Sequence, residues 1–270
     1  MLNKYNHRIQ RKIEYLNIFV LCAAAIVLIA LELKILGFLL LGGGLASLFL
    51  CSKNFRRNIA LIYGAAALLG LTPINTSTDL AHIFTMGLPM LLLVAGPYYI
   101  TKYVYKNNLV RFPFGRGRDW KKREIFYVLF TVVLGFLILP PMLRSGSSFQ
   151  NWEILPGAWN LAESYVGLNF VGIWDELFFI STVLGIFRKH LPFWAANLAQ
   201  AVFFTSFLYN VGFQGWGPAV IFPFALSQGY IFKKTGSLLY VLTIHLSLDL
   251  VLHLTLVYLH HPSWLPFFIT

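Results

Sequence analysis

Residues 161–187 read LAESYVGLNFVGIWDELFFISTVLGIF, and Arg188 and Lys189 close the run. A helix needs about 20 mostly apolar residues to cross a ~30 Å hydrocarbon core. This stretch is long enough, yet it carries two adjacent carboxylates, Asp175 and Glu176, well inside it. Working outward, further apolar stretches fall at 14–31, 35–52, 59–72, 83–101, 125–143, 193–210, 216–232 and 237–259. The stretch 59–72 is short for a full crossing. The expected fold is therefore all-α, a polytopic transmembrane bundle of about eight or nine helices.

Composition agrees. The chain is 58% hydrophobic and 17% aromatic but only 11% charged, where a soluble domain carries about 25% charged residues. Mean hydropathy is +0.69. No soluble block is long enough to bury a core of its own. The net charge of +11 does not point to nucleic acid, because no basic-plus-aromatic reader motif accompanies it. Instead, Lys and Arg gather in alternate loops: Lys4, Arg8, Arg11 and Lys12; Lys53, Arg56 and Arg57; Lys102 to Arg123; Arg188 and Lys189; Lys233 and Lys234. The loops 73–82, 145–160 and 211–217 carry none. Positive loops face the cytoplasm, which sets the expected topology: a multi-pass cell-membrane protein, N-terminus cytoplasmic and C-terminus outside. The basic start, Met1 to Lys12, is not the pattern of a cleavable signal peptide. The segment RFPFGRGRDWKKR, 111–123, lies in a basic loop, 102–123, that suits anionic headgroups at the interface. Cys22 and Cys51 lie within apolar runs and have neither metal-ligand nor disulfide spacing.

Chemistry is expected where the chain tolerates what lipid penalises. Each ionised Asp or Glu at a helix centre costs about 2.5–3.5 kcal/mol on insertion scales. Asp175, Glu176 and Asp249 must be paired, protonated or set against a wet cavity. Glu176 lies about 18 Å from Arg188 along a helix, and His245 about 16 Å from Lys234, so both sit at nearly the same depth. His245, Asp249 and His253 follow at i, i+4 and i+8, one stripe on one face. Such a stripe can orient a catalytic imidazole, ligate a metal, or act as a polar seam between helices. Ser145, Ser147 and Ser148 lack a matching base, and His82, His190, His260 and His261 fall at the interfaces.

From about Gly172 to His253, these residues resemble the CPBP family of intramembrane proteases. That family includes CAAX prenyl endopeptidases, bacteriocin-processing and immunity proteins, and lysostaphin-resistance-type proteins. Its third motif, a Gly…Thr-Gly-Ser-Leu…His-x-x-x-Asn/Asp run, matches GYIFKKTGSLLYVLTIHLSLD from Gly229, with His245 and Asp249 in the motif positions. The family's Glu-Glu-x-x-x-Arg becomes Asp175-Glu176 with Ile180 in the Arg position. Its Phe-x-x-x-His becomes Ser206 and Asn210 within FFTSFLYN. The resemblance divides the chain into N-terminal helices and basic loop, 1–124, and a core carrying the site, 125–270. It implies hydrolysis of a peptide bond in a membrane-anchored protein or peptide. A carboxylate from Asp175 or Glu176 would activate water, and His245, Asp249 and Asn210 would bind the developing oxyanion. It allows either a glutamate-activated site or one divalent metal, such as zinc, on Glu176, His245 and His253. A non-catalytic scaffold or immunity protein of the same fold is the alternative, followed by a proton-coupled transporter using Asp175, Glu176 and Asp249.

Overall fold

The computed structural model describes residues 2–76, 80–115, 119–145 and 148–265. Helices make up nearly all of them, and no strand occurs among the described residues. The chain runs through α1 (Leu2–Ala25), continued by a π-helical turn Ile26–Ala30, then α2 (Lys34–Ser47), α3 (Lys53–Leu71) and α4 (Leu80–Tyr99), itself continued by a π turn Ile100–Val104. After the basic loop come α5 (Lys122–Ser145) and α6 (Ala158–Asp175). A π-helical segment Glu176–Val183 leads from α6 into α7 (Leu184–Phe187). The core ends with α8 (Phe193–Val211), α9 (Gly217–Thr235) and α10 (Leu238–His260). The side chains of Lys4, Arg8 and His82, and all of residues 116–118 and Ser147, lie outside the described residues.

Each expected apolar stretch falls on one of these helical passes. Among the described residues, five are long and apolar enough to cross a bilayer: Ile9–Ala30, Phe84–Val104, Lys122–Ser145, Ala158–Phe187 and Leu238–His260, while Lys34–Leu50 is a shorter apolar helix. The passes through α3, α8 and α9 are helical but do not reach the same length and apolarity. For α8 the reason is visible in Asn197, Gln200 and Asn210, polar residues whose amide groups donate within the bundle: Asn197 Nδ2 donates to Leu226 O at 2.9 Å and Gln200 Nε2 to Ala225 O at 2.9 Å. Gly229 makes that α8–α9 approach possible, because a Cβ there would lie 1.9 Å from Asn197 Oδ1.

The turn between α9 and α10 follows from its sequence. Gly236 takes the left-handed conformation, φ 63°, that caps α9, and its N–H donates to Phe232 O. Ser237 Oγ then accepts from the Tyr240 N–H at 3.2 Å, capping α10. The basic loop docks on this turn. Leu238 N–H donates to Pro113 O at 2.7 Å, and the Trp120 ring meets the Tyr240 ring edge-on at 5.2 Å. Arg111, Lys121, Lys122 and Arg123 stay exposed.

Candidate active site

α6 and its π-helical continuation carry Asp175 and Glu176, and α10 carries His245 and Asp249. All four are buried, Asp175 and Glu176 at 1% and 0% exposure. The two elements are held close by Gly172, one turn before Asp175: a Cβ there would lie 2.1 Å from Asp249 Oδ2 and 3.3 Å from His245 Cδ2. His245 Nδ1 lies 2.7 Å from Glu176 Oε1, a charge-assisted hydrogen bond. Its other nitrogen, Nε2, faces Asp249 Oδ1 at 3.7 Å and Asp175 Oδ2 at 4.0 Å. Both Asp175 oxygens and Asp249 Oδ2 are buried without a hydrogen-bond partner. The equal depth inferred for Glu176 and His245 is thus a direct contact.

Asp175, His245 and Asp249 line one cavity of about 920 Å³, walled by α4, α5, α6, α8, α9 and α10. Glu176 does not line it. Neighbouring residues of a helix point about 100° apart, so Asp175 faces the cavity while Glu176 passes behind the imidazole. There it meets Gln228 on α9, whose Nε2 donates to Glu176 Oε1 at 3.1 Å and to Val241 O at 3.4 Å. Gln228 is fully buried and is a site residue that the sequence did not single out. Its signal was available: an uncharged polar residue in an apolar run, one position before the Gly229 that begins the third motif. Phe224 packs edge-on against the His245 ring at 5.3 Å, and Phe204 lies 6.0 Å away.

Two expected members do not join. Asn210 donates from Nδ2 to Ile29 O at 2.7 Å and to Glu32 Oε1 at 3.1 Å, facing the turn between α1 and α2. The cause is direction around the helix: Leu208 and Val211, beside it on α8, face the cavity. On α8, the ring that packs against His245 belongs to Phe204. His253 lies two turns beyond His245, about 12 Å along the helix, with Nε2 2.9 Å from Ser164 Oγ and its ring against Tyr165. It cannot share an ion with Glu176 and His245. Among the described residues no three His, Cys, Asp or Glu side chains form a group that could hold a metal ion, so the expected zinc set does not fit. Ile180, in the Arg position, is fully buried and brings no charge.

The interfacial residues have ordinary partners. His260 and His261 ring nitrogens meet Phe149 O and Ile154 O at 3.2 and 3.0 Å, and His190 Nε2 meets Asn58 Nδ2 at 3.0 Å. Ser145 Oγ accepts from Trp216 Nε1.

No curated protein and no solved structure matches the chain. Residues 157–251, about a third of its length, match the family model described as type II CAAX prenyl endopeptidase Rce1-like. That segment holds Asp175, Glu176, Gln228, His245 and Asp249 and leaves His253 outside. Over this core the chain is similar to the Rce1-like family, which supports the resemblance drawn from the Asp175-Glu176 and His245-x-x-x-Asp249 motifs.

Proposed function

We propose that the chain is an intramembrane endopeptidase that hydrolyses a peptide bond of a membrane-anchored protein or peptide. The observation that carries this reading is the meeting of Asp175, His245 and Asp249 at a cavity wall, with Glu176 fixing the imidazole from behind. Unpartnered buried carboxylate oxygens beside a cavity are costly unless a reactant completes them. A gap of 3.7–4.0 Å between His245 Nε2 and the two aspartates suits a water that bridges them.

In this reading Asp175 takes a proton from that water as its oxygen attacks the scissile carbonyl carbon. His245 acts with both nitrogens protonated, Nδ1–H on Glu176 and Nε2–H on the carbonyl oxygen as that oxygen becomes negative. The C–N bond then breaks, and the proton on Asp175 passes to the leaving nitrogen. Asp249 orients the water, and no step runs through a metal. The basic loop, with Arg111, Lys121, Lys122 and Arg123 exposed, rests on anionic headgroups.

The test offers membrane-anchored and prenylated peptides to the purified protein. Cleavage is expected to fall about 10²–10⁴-fold in Asp175→Asn, with comparable losses in Glu176→Gln and His245→Ala. Cleavage untouched by all three substitutions disposes of the site. One observation favours a second reading, a non-catalytic scaffold of the same fold: Ile180 and Phe204 are apolar where the family pattern and the His245 neighbourhood call for polar groups. Peptide binding without hydrolysis decides for it.

A further inference from the structure

The cavity has a charge character opposite to that of the chain. The protein carries 21 Lys and Arg against 10 Asp and Glu. Yet Glu153, Glu163, Asp175 and Asp249, four of those ten acids, line this cavity, and no Lys or Arg among the described residues does. Asp175 and Asp249 are buried with oxygens that have no hydrogen-bond partner. Glu163 stands twelve residues before Asp175 on α6, about 18 Å along the helix. Trp159, four residues before Glu163 and on the same face, is 80% exposed and also lines the cavity, as does Trp152 beside Glu153. Carboxylates flanked by indole rings are a setting for an organic cation. The wall also offers hydroxyls: Ser164 beside Glu163, and Thr131 and Ser227 on α5 and α9.

We propose that this cavity takes an extended apolar peptide segment bearing a Lys or Arg, whose charged group lies against Glu163 and Glu153 while the peptide bond to be cut lies at Asp175 and His245. An extended chain rises about 3.3 Å per residue, so ~18 Å places the basic residue about five or six positions from that bond. The wall hydroxyls, whose own protons go to Val128, Leu161 and Phe224 carbonyls, can accept from backbone N–H groups of the occupant, which favours a peptide over a bare alkyl chain. The inference rests on the endopeptidase reading for where the cut falls, but not for binding.

The experiment uses the full chain in phosphatidylcholine nanodiscs and fluorophore-labelled Leu/Ala peptides of about 20 residues. Each peptide carries a single Lys, Gln or Glu, stepped along its length, and anisotropy reads the affinity. The Lys peptide is expected to bind about fivefold tighter than the Gln peptide, the Glu peptide weaker still, and the advantage to peak in one register. The double variant Glu153→Gln/Glu163→Gln, altering two exposed positions, is expected to bring the Lys peptide down to the affinity of the Gln peptide. Equal binding of all three peptides, or a Lys preference that survives in the double variant, overturns the inference. Cleavage without charge preference overturns it and leaves the enzyme standing. Charge-selective binding without cleavage does the reverse.

Discussion

Adding one methyl group at Gly172 tests the site without any assumption about its activity. A Cβ there would lie 2.1 Å from Asp249 Oδ2, 3.2 Å from its Cγ and 3.3 Å from His245 Cδ2. The carboxylate must retreat by about 1 Å or α6 and α10 must part, an overpacking that costs roughly 1–3 kcal/mol. Alanine's better helix propensity offsets about 1 kcal/mol of this. Gly172→Ala alone should therefore destabilise by roughly 0–2 kcal/mol. In an Asp249→Ala background the obstruction is gone, and the same substitution should be neutral or stabilising by up to about 1 kcal/mol. The coupling between the two positions is expected to be about 1–3 kcal/mol, read from reversible unfolding in mixed micelles by a double-mutant cycle. Gly64→Ala, where a Cβ meets nothing within 4 Å, is the control. Where cleavage can be measured, Gly172→Ala alone should reduce it by about 10²-fold, because a ~1 Å displacement of a reacting group has that effect. Strict additivity, with a coupling under about 0.5 kcal/mol, refutes the close approach of α6 to Asp249.

Three other outcomes follow from the geometry. Ser237→Ala removes the cap on the Tyr240 N–H and should lower stability by about 1 kcal/mol in the same unfolding assay; no change would show that the α10 start is held by the docked loop alone. Asn210→Ala breaks the ties to Ile29 O and Glu32, so stability should fall by about 1 kcal/mol while cleavage stays near wild type; a catalytic collapse with intact folding would return Asn210 to the site. His190 sits outside the spans with its ordinary value of 6.5 lowered, by burial first and by Lys189, against an opposing pull from Glu14. A depressed imidazole contributes stability above its unfolded value and loses it as pH falls through that value. Melting temperature should therefore drop as pH falls below 6.5, and His190→Gln should flatten that drop; parallel pH profiles would show that His190 does not drive it.

What could be read from the sequence was depth, and what could not was direction. Counting rise from Arg188 and Lys234 set Glu176 level with His245, and they touch at 2.7 Å. The Thr235-Gly236-Ser237 turn was equally readable, since cap chemistry is local. Asn210 failed because rise along α8 does not say which way a side chain points, and its neighbours Leu208 and Val211 face the cavity in its place. His253 failed for the opposite reason: the i+8 stripe gave its direction, but two turns put it beyond the reach of Glu176. Gln228 stands out locally as a polar residue in an apolar run, but only tertiary contact identifies its partner, a carboxylate 52 positions earlier.

The adjacent carboxylates show how direction creates function. Read as a sequence, Asp175-Glu176 is one acidic feature with two interchangeable members. On a helix the two point about 100° apart, so one reaches the cavity and the other is spent on His245 Nδ1 and Gln228. A wider turn begins at Glu176, where the backbone becomes π-helical through Val183, a distortion that recurs at functional sites because it re-aims side chains. With Ile180 in the family's Arg position, the imidazole is left as the only basic side chain beside three buried carboxylates among the described residues. Charge of that sign at membrane depth is maintained only against partners. Among the described residues the cavity wall offers no Lys or Arg to balance Asp175 and Asp249, so that balance falls to His245. The acids that hold the reactant are separate from the exposed Glu163, about 18 Å along α6, that is proposed to choose the peptide.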